Sequence, residues 1–196
     1  MYDVNLTTSH FPAQNDAEIR DITVGGLLRE VAATHPDALA MVDVAESGDC
    51  GQSWTYAEIL AQAERLARAL ATRFQPSERV VVWAPNIPQW IFMEYACGLA
   101  GLVLVTANPS FQASELRYVL EQSGAVGLFM VDGFRGNPMA AIAREATKGN
   151  TRLREVVNLE DGHALYAHGE RPAVLPDVQP DDAAQIQYTS GTTGFP

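Results

Sequence analysis

The run Tyr188-Thr189-Ser190-Gly191-Thr192-Thr193-Gly194-Phe195-Pro196 concentrates hydroxyls and glycines and contains no carboxylate. Gly191 and Gly194 admit positive φ and let the backbone approach an anion closely, while the hydroxyls of Thr189, Ser190, Thr192 and Thr193 and successive N–H groups supply uncharged donors. That chemistry suits the phosphates of a nucleotide. The preceding Gln185-Ile186-Gln187-Tyr188 reads as a short strand, which puts the turn at a strand's C-terminal end, where open α/β sheets bind their ligands. The run is not a Walker loop: counting from Gly191, that pattern needs Gly at position 196, where Pro stands, and a Lys after it. The dinucleotide pattern fails too, since the glycines are three apart. Taken alone, the run also fits an ordinary loop.

The string Tyr-Thr-Ser-Gly-Thr-Thr-Gly-x-Pro resembles the phosphate-binding signature of the acyl-adenylate-forming superfamily, which includes acyl-CoA synthetases, luciferases and the adenylation domains of peptide synthetases. Two further stretches match that superfamily in order: Ser53-Trp54-Thr55-Tyr56-Ala57-Glu58-Ile59, and Cys97-Gly98-Leu99-Ala100-Gly101 running on to Asn108-Pro109. Ala84-Pro85-Asn86 and Ser114-Glu115-Leu116 look most like medium- or long-chain fatty acyl-CoA synthetases.

The resemblance implies a reaction. A fatty acid carboxylate attacks the α-phosphate of ATP, pyrophosphate leaves, and the thiol of coenzyme A captures the acyl-adenylate. Thr189, Ser190, Thr192 and Thr193 would bind the β- and γ-phosphates, with Gly191 and Gly194 shaping the loop. Mg2+ would assist, through a carboxylate that in the family lies beyond position 196. The family also places one lysine directly after the Gly-x-Pro and another in a C-terminal domain, and these 196 residues hold neither. The expectation is therefore residues 1–196 as the N-terminal part of an adenylation domain, with no catalytic residue or metal ligand of its own and inactive in isolation. The alternative is a non-catalytic nucleotide- or protein-binding α/β module, with sheet surface that could promote self-association.

Other reactive side chains have plainer readings. Lys148, the single lysine, looks like a solvated helix end. Cys50, in the polar turn from Glu46 to Gly51, and Cys97, in an apolar helix, are too few and too far apart for a disulfide framework or zinc site, which favours a reducing cytoplasm. His10 and His35 have no constellation around them. His163 and His168 lie close in sequence, with Asp161-Gly162-His163 read as a solvated loop that lacks further metal ligands. Asn86, Asn108 and Trp90 could line a pocket, but turn chemistry and packing explain them. Arg117 reads as an exposed helix residue, and Glu115 as a partner of its helix dipole.

The elements that must carry the turn follow from periodicity. Thr23 caps a helix with Val24, Leu27, Leu28 and Val31 on its apolar face, and residues 38–44 alternate as a strand. Thr55 and Glu58 form a capping box for a helix bearing Tyr56, Ile59, Leu60, Ala63, Ala67, Leu70 and Phe74, with Glu64 and Arg68 paired outside. From Arg79, short apolar strands (80–83, 102–105, 126–131, 155–157) alternate with helices (88–99, 114–122, 139–147). That pattern predicts an α/β fold: a mainly parallel sheet with helices on both faces. The proline-rich acidic tract 170–182 reads as an extended connection to the last strand. At 47% hydrophobic with a net charge of −11, the chain has material for a core and no basic face for nucleic acid or anionic membrane. Its most apolar stretch, 95–107, is too short to span a bilayer, and the N-terminus lacks the pattern of a signal peptide.

Overall fold

The computed structural model describes residues 7, 19–45, 47–167 and 174–189. Five parallel strands form the central sheet in the order β6-β5-β3-β4-β7: β3 Arg79–Trp83, β4 Val103–Ala107, β5 Gly127–Met130, β6 Glu155–Asn158 and β7 Gln185–Gln187. The direction of the crossovers reverses at β3. β3 passes through α3 (Pro88–Ala100) to β4 on one side, and α4 (Ala113–Ser123) carries the chain back across β3 to β5. α5 (Met139–Ala146) continues in that direction to β6. Right-handed crossovers therefore put α3 on one face and α4 and α5 on the other. α1 (Val24–Thr34) and α2 (Tyr56–Ala71) pack with α3, and α4 packs with α5.

The strands are apolar on both faces because both are covered. Val80, Val81, Val82 and Trp83 are fully buried, as are Val105, Leu128 and Phe129. Fully burying one such side chain is worth about 1.5–3 kcal/mol, so the central strands hold the sheet together. Helix starts obey local chemistry: Thr23 Oγ1 accepts from the Gly26 amide, and Thr55 and Glu58 satisfy each other's backbone donors as a capping box. Gly25 permits the α1–α3 crossing, since a Cβ there would sit 2.6 Å from Leu99 Cδ2.

Several expectations are corrected. The hairpin of β1 (Leu39–Val44) and β2 (Cys50–Thr55) forms a separate two-stranded antiparallel sheet. β2 was unforeseen because its first four residues are exposed and polar or small, so Cys50 opens a strand rather than lying within a turn. Leu27 faces solvent, 44% exposed, while Leu28 and Ala32 carry the buried stripe of α1. Phe74 is buried as foreseen, but beyond the end of α2. Residues 162–165 are a one-turn helix, α6 (Gly162–Leu165), capped by Asp161 and not a loop.

From the proline-rich tract, residues 174–179 form neither helix nor strand, and Pro176 and Val178 pass against the end of α3. Gly101 ends that helix at φ +66°, and a Cβ there would meet Pro176 at 3.3 Å and Val178 at 3.4 Å. This crossing delivers the chain to β7, at the edge of the sheet beside β4.

Candidate nucleotide-binding edge

β7 is three residues long and joins β4 in parallel, with Gln185, Ile186 and Gln187 opposite Leu104, Val105 and Thr106. Its period of two is visible in burial. Ile186 and Tyr188 are partly buried against the core, while Gln185, Gln187 and Thr189 are exposed. Thr189 thus leaves the C-terminal end of an edge strand with its side chain in solvent. Of the other residues expected to grip phosphate, Ser190, Gly191, Thr192, Thr193 and Gly194 lie outside the described residues.

Tyr188 is held from α4. Its hydroxyl donates to Gln122 Oε1, and its ring meets Tyr118 edge-on at 6.3 Å between centroids. Burial, with a smaller contribution from Tyr118, raises its pKa above the ordinary tyrosine value, so the hydroxyl keeps its proton through neutral pH.

The neighbouring strand ends are tied together by neutral groups. Trp83 Nε1 donates to the Asn108 carbonyl at 2.8 Å, and Asn108 Oδ1 accepts from the Ser110 amide at 2.9 Å. Asn137 Nδ2 donates to the Pro109 carbonyl at 2.9 Å, and Gln112 Nε2 donates to Asn137 Oδ1 at 3.2 Å. Asn108 is therefore turn chemistry. Glu115 has a more specific role than its helix dipole, because Oε2 accepts the Gln112 amide at 2.8 Å in a second capping box. Asn86 and Trp90, by contrast, line a groove of about 300 Å3 with Met41, Asp43, Ile87 and Pro88, between the hairpin and the start of α3.

Basic side chains gather instead near the N-terminal strand ends. Arg154 pairs with Glu78, and Arg79 Nε donates to the Ser123 carbonyl at 2.9 Å. Arg73 Nη1 donates to the Ala164 carbonyl at 3.1 Å and lies 3.4 Å from Glu155. Burial lowers the Arg73 pKa, and Glu155 opposes the shift. Arg117 is half-buried and donates to the carbonyls of Glu145 and Ala146, tying α4 to the end of α5, rather than projecting freely. Lys148 pairs with Glu145 at 2.7 Å, beyond that same helix end.

Cys97 is buried, which raises its thiol pKa and leaves it inert, and Cys50 is exposed. His163 is exposed on α6, and His168 lies outside the described residues. Among the described residues no three His, Cys, Asp or Glu side chains converge on a point where a metal could sit. No helix among them is long and apolar enough to cross a membrane.

A doubly wound parallel sheet, clad by three helices on one face and two on the other, is an α/β domain of the kind that binds ligands at its C-terminal strand ends. The chain belongs to the AMP-binding enzyme family, whose pattern matches residues 28–196. It is 31% identical to the 2,3-dihydroxybenzoate-AMP ligase of Bacillus subtilis, over 88% of this chain and 32% of that protein. It is 26% identical to the mitochondrial medium-chain acyl-CoA ligase ACSF2 of Danio rerio, over 97% of this chain and 35% of the relative. Among solved structures, a fatty acyl CoA synthetase of Mycobacterium tuberculosis superposes with a TM-score of 0.69 at 25% identity, over 86% of this chain and 32% of that one. The chain spans about a third of the length of the curated relatives it matches.

Proposed function

We propose that these 196 residues are the N-terminal part of the adenylation domain of an ATP-dependent acid–thiol ligase that activates medium- or long-chain fatty acids in the cytoplasm. The carboxylate attacks the α-phosphate of ATP, pyrophosphate departs, and the coenzyme A thiol then displaces AMP from the acyl-adenylate. The observation that carries the reading is β7, an edge strand of an AMP-binding fold that leads its chain directly into Thr189. Thr189, Ser190, Thr192 and Thr193 donate to the β- and γ-phosphates, and Gly191 and Gly194 let the backbone close on them. Uncharged donors orient the polyphosphate, while cations must neutralise the charge that develops on it. Mg2+ supplies part of that neutralisation when bound.

The 196-residue polypeptide alone is expected not to turn over, since its one lysine, Lys148, lies on the surface just past the C-terminal end of α5 and not beside Thr189. Exposed Leu39, Val42 and Val44 on the hairpin make it prone to self-association. Pyrophosphate exchange into ATP, run with a panel of fatty and aromatic acids on the protein at its natural length, tests the reading. Medium- or long-chain fatty acids should stimulate exchange most. Preference for an aromatic acid would overturn the substrate class, and robust exchange by the 196-residue polypeptide would overturn its inactivity.

A further inference from the structure

We infer that Tyr188, clamped by Gln122 and Tyr118 of α4, is a positioning residue that fixes the register of β7 and so aims the Thr189 hydroxyl at ATP. The inference rests on the proposed nucleotide site. β7 has only three ladder residues, and of these Ile186 alone turns its side chain toward the core. Among the described residues a strand this short pairs with β4 alone, and with Gln185 and Gln187 turned away from the core it has little apolar pattern to fix its register. A slip of one residue would send every side chain to the opposite face, and Thr189 would then point where Tyr188 now does.

Tyr188 supplies the missing specification. Its ring is half-buried against Tyr118, and its hydroxyl donates to Gln122 Oε1. Both partners stand on α4, whose buried face is set by Leu116, Val119 and Leu120 and is therefore rigid. The clamp and Thr189 are consecutive in the chain, so the direction of one dictates the direction of the other. Where catalysis depends on orienting phosphates, a small angular error at the donor is costly.

The test uses pyrophosphate exchange by the protein at its natural length, with ATP, pyrophosphate and the best fatty acid as probes. Tyr188→Phe and Gln122→Leu should each raise KM for ATP about tenfold, with KM for the fatty acid unchanged. The double variant should be no worse than either single one, because both remove the same bond. Gln122→Glu, which keeps an acceptor oxygen at the same reach, should restore the KM for ATP. Gln122 is exposed, so Gln122→Leu should fold and melt as the wild type does, and it carries the test if Tyr188→Phe does not fold. An unchanged KM for ATP, effects that multiply in the double variant, or an equal rise in both KM values overturns the clamp. If the wild type shows no exchange with any acid, the nucleotide reading has failed, and the clamp's purpose with it.

Discussion

The two ends of the strands in the parallel sheet are built from different chemistry. At the N-terminal ends, Arg73, Arg79 and Arg154 are held by carboxylates and backbone carbonyls. At the C-terminal ends, the indole of Trp83 and the amides of Gln112 and Asn137 join the loops without a formal charge among them. The lesson is that positive charge by itself does not mark an anion site in this chain. Its most concentrated basic groups are occupied in holding strands and helices together, while the loops at the C-terminal strand ends are joined by neutral donors.

Breaking the charged end should have the largest effect. Arg73→Met leaves Glu155 and the Ala164 and Leu165 carbonyls without their donor, and removing one partner from such a buried network costs about 3 kcal/mol. Urea unfolding measures this, and a loss below ~1 kcal/mol would mean that this end is not locked through Arg73. At the neutral end the expected loss is smaller. Trp83→Phe removes one ring of a fully buried indole and strips the Asn108 carbonyl of its 2.8 Å partner, together a cost of about 2 kcal/mol read from the same unfolding curves.

The two ends also part in their response to acid. Hydrogen bonding from Arg154 holds the Glu78 carboxyl below its ordinary value of 4.5. A depressed folded pKa contributes stability that is present above that ordinary value and lost as pH falls through the folded one. Glu78→Gln should therefore flatten the acid limb of the stability curve, whereas Trp83→Phe should lower the curve at every acidic pH alike. Identical acid limbs for wild type and Glu78→Gln would remove this distinction. The smallest effect belongs to the exposed surface: Arg68→Gln breaks a 3.9 Å pair with Glu64, and the midpoint should register less than about 0.5 kcal/mol.

The neutral end was the harder of the two to foresee from sequence. Apolar runs such as Val80-Val81-Val82-Trp83 announce buried parallel strands, and Thr55 with Glu58 announces a helix start, because both are local patterns. β2 escaped because Cys50, Gly51 and Gln52 face solvent and carry no period. Arg117 looked solvated because its carbonyl partners belong to α5, 28 and 29 residues further on. The hydroxyl-rich run was legible as a string, and Thr189 is the one of its phosphate-binding candidates among the described residues. The hold of Gln122 on Tyr188 was not, since the two are separated by 66 residues and meet only once the sheet exists.

That separation has a consequence for the order of assembly. β4 is complete by Ala107, but its edge partner begins at Gln185, after α4, β5, α5 and β6 have been made. Pairings so distant in sequence form slowly, and a chain emerging from the ribosome makes its early contacts first. The flank of β4 that receives β7 must therefore wait, and the strand that leads to Thr189 can dock only on a platform already built. During synthesis the strand that leads into Thr189 is thus the last of the described strands to dock.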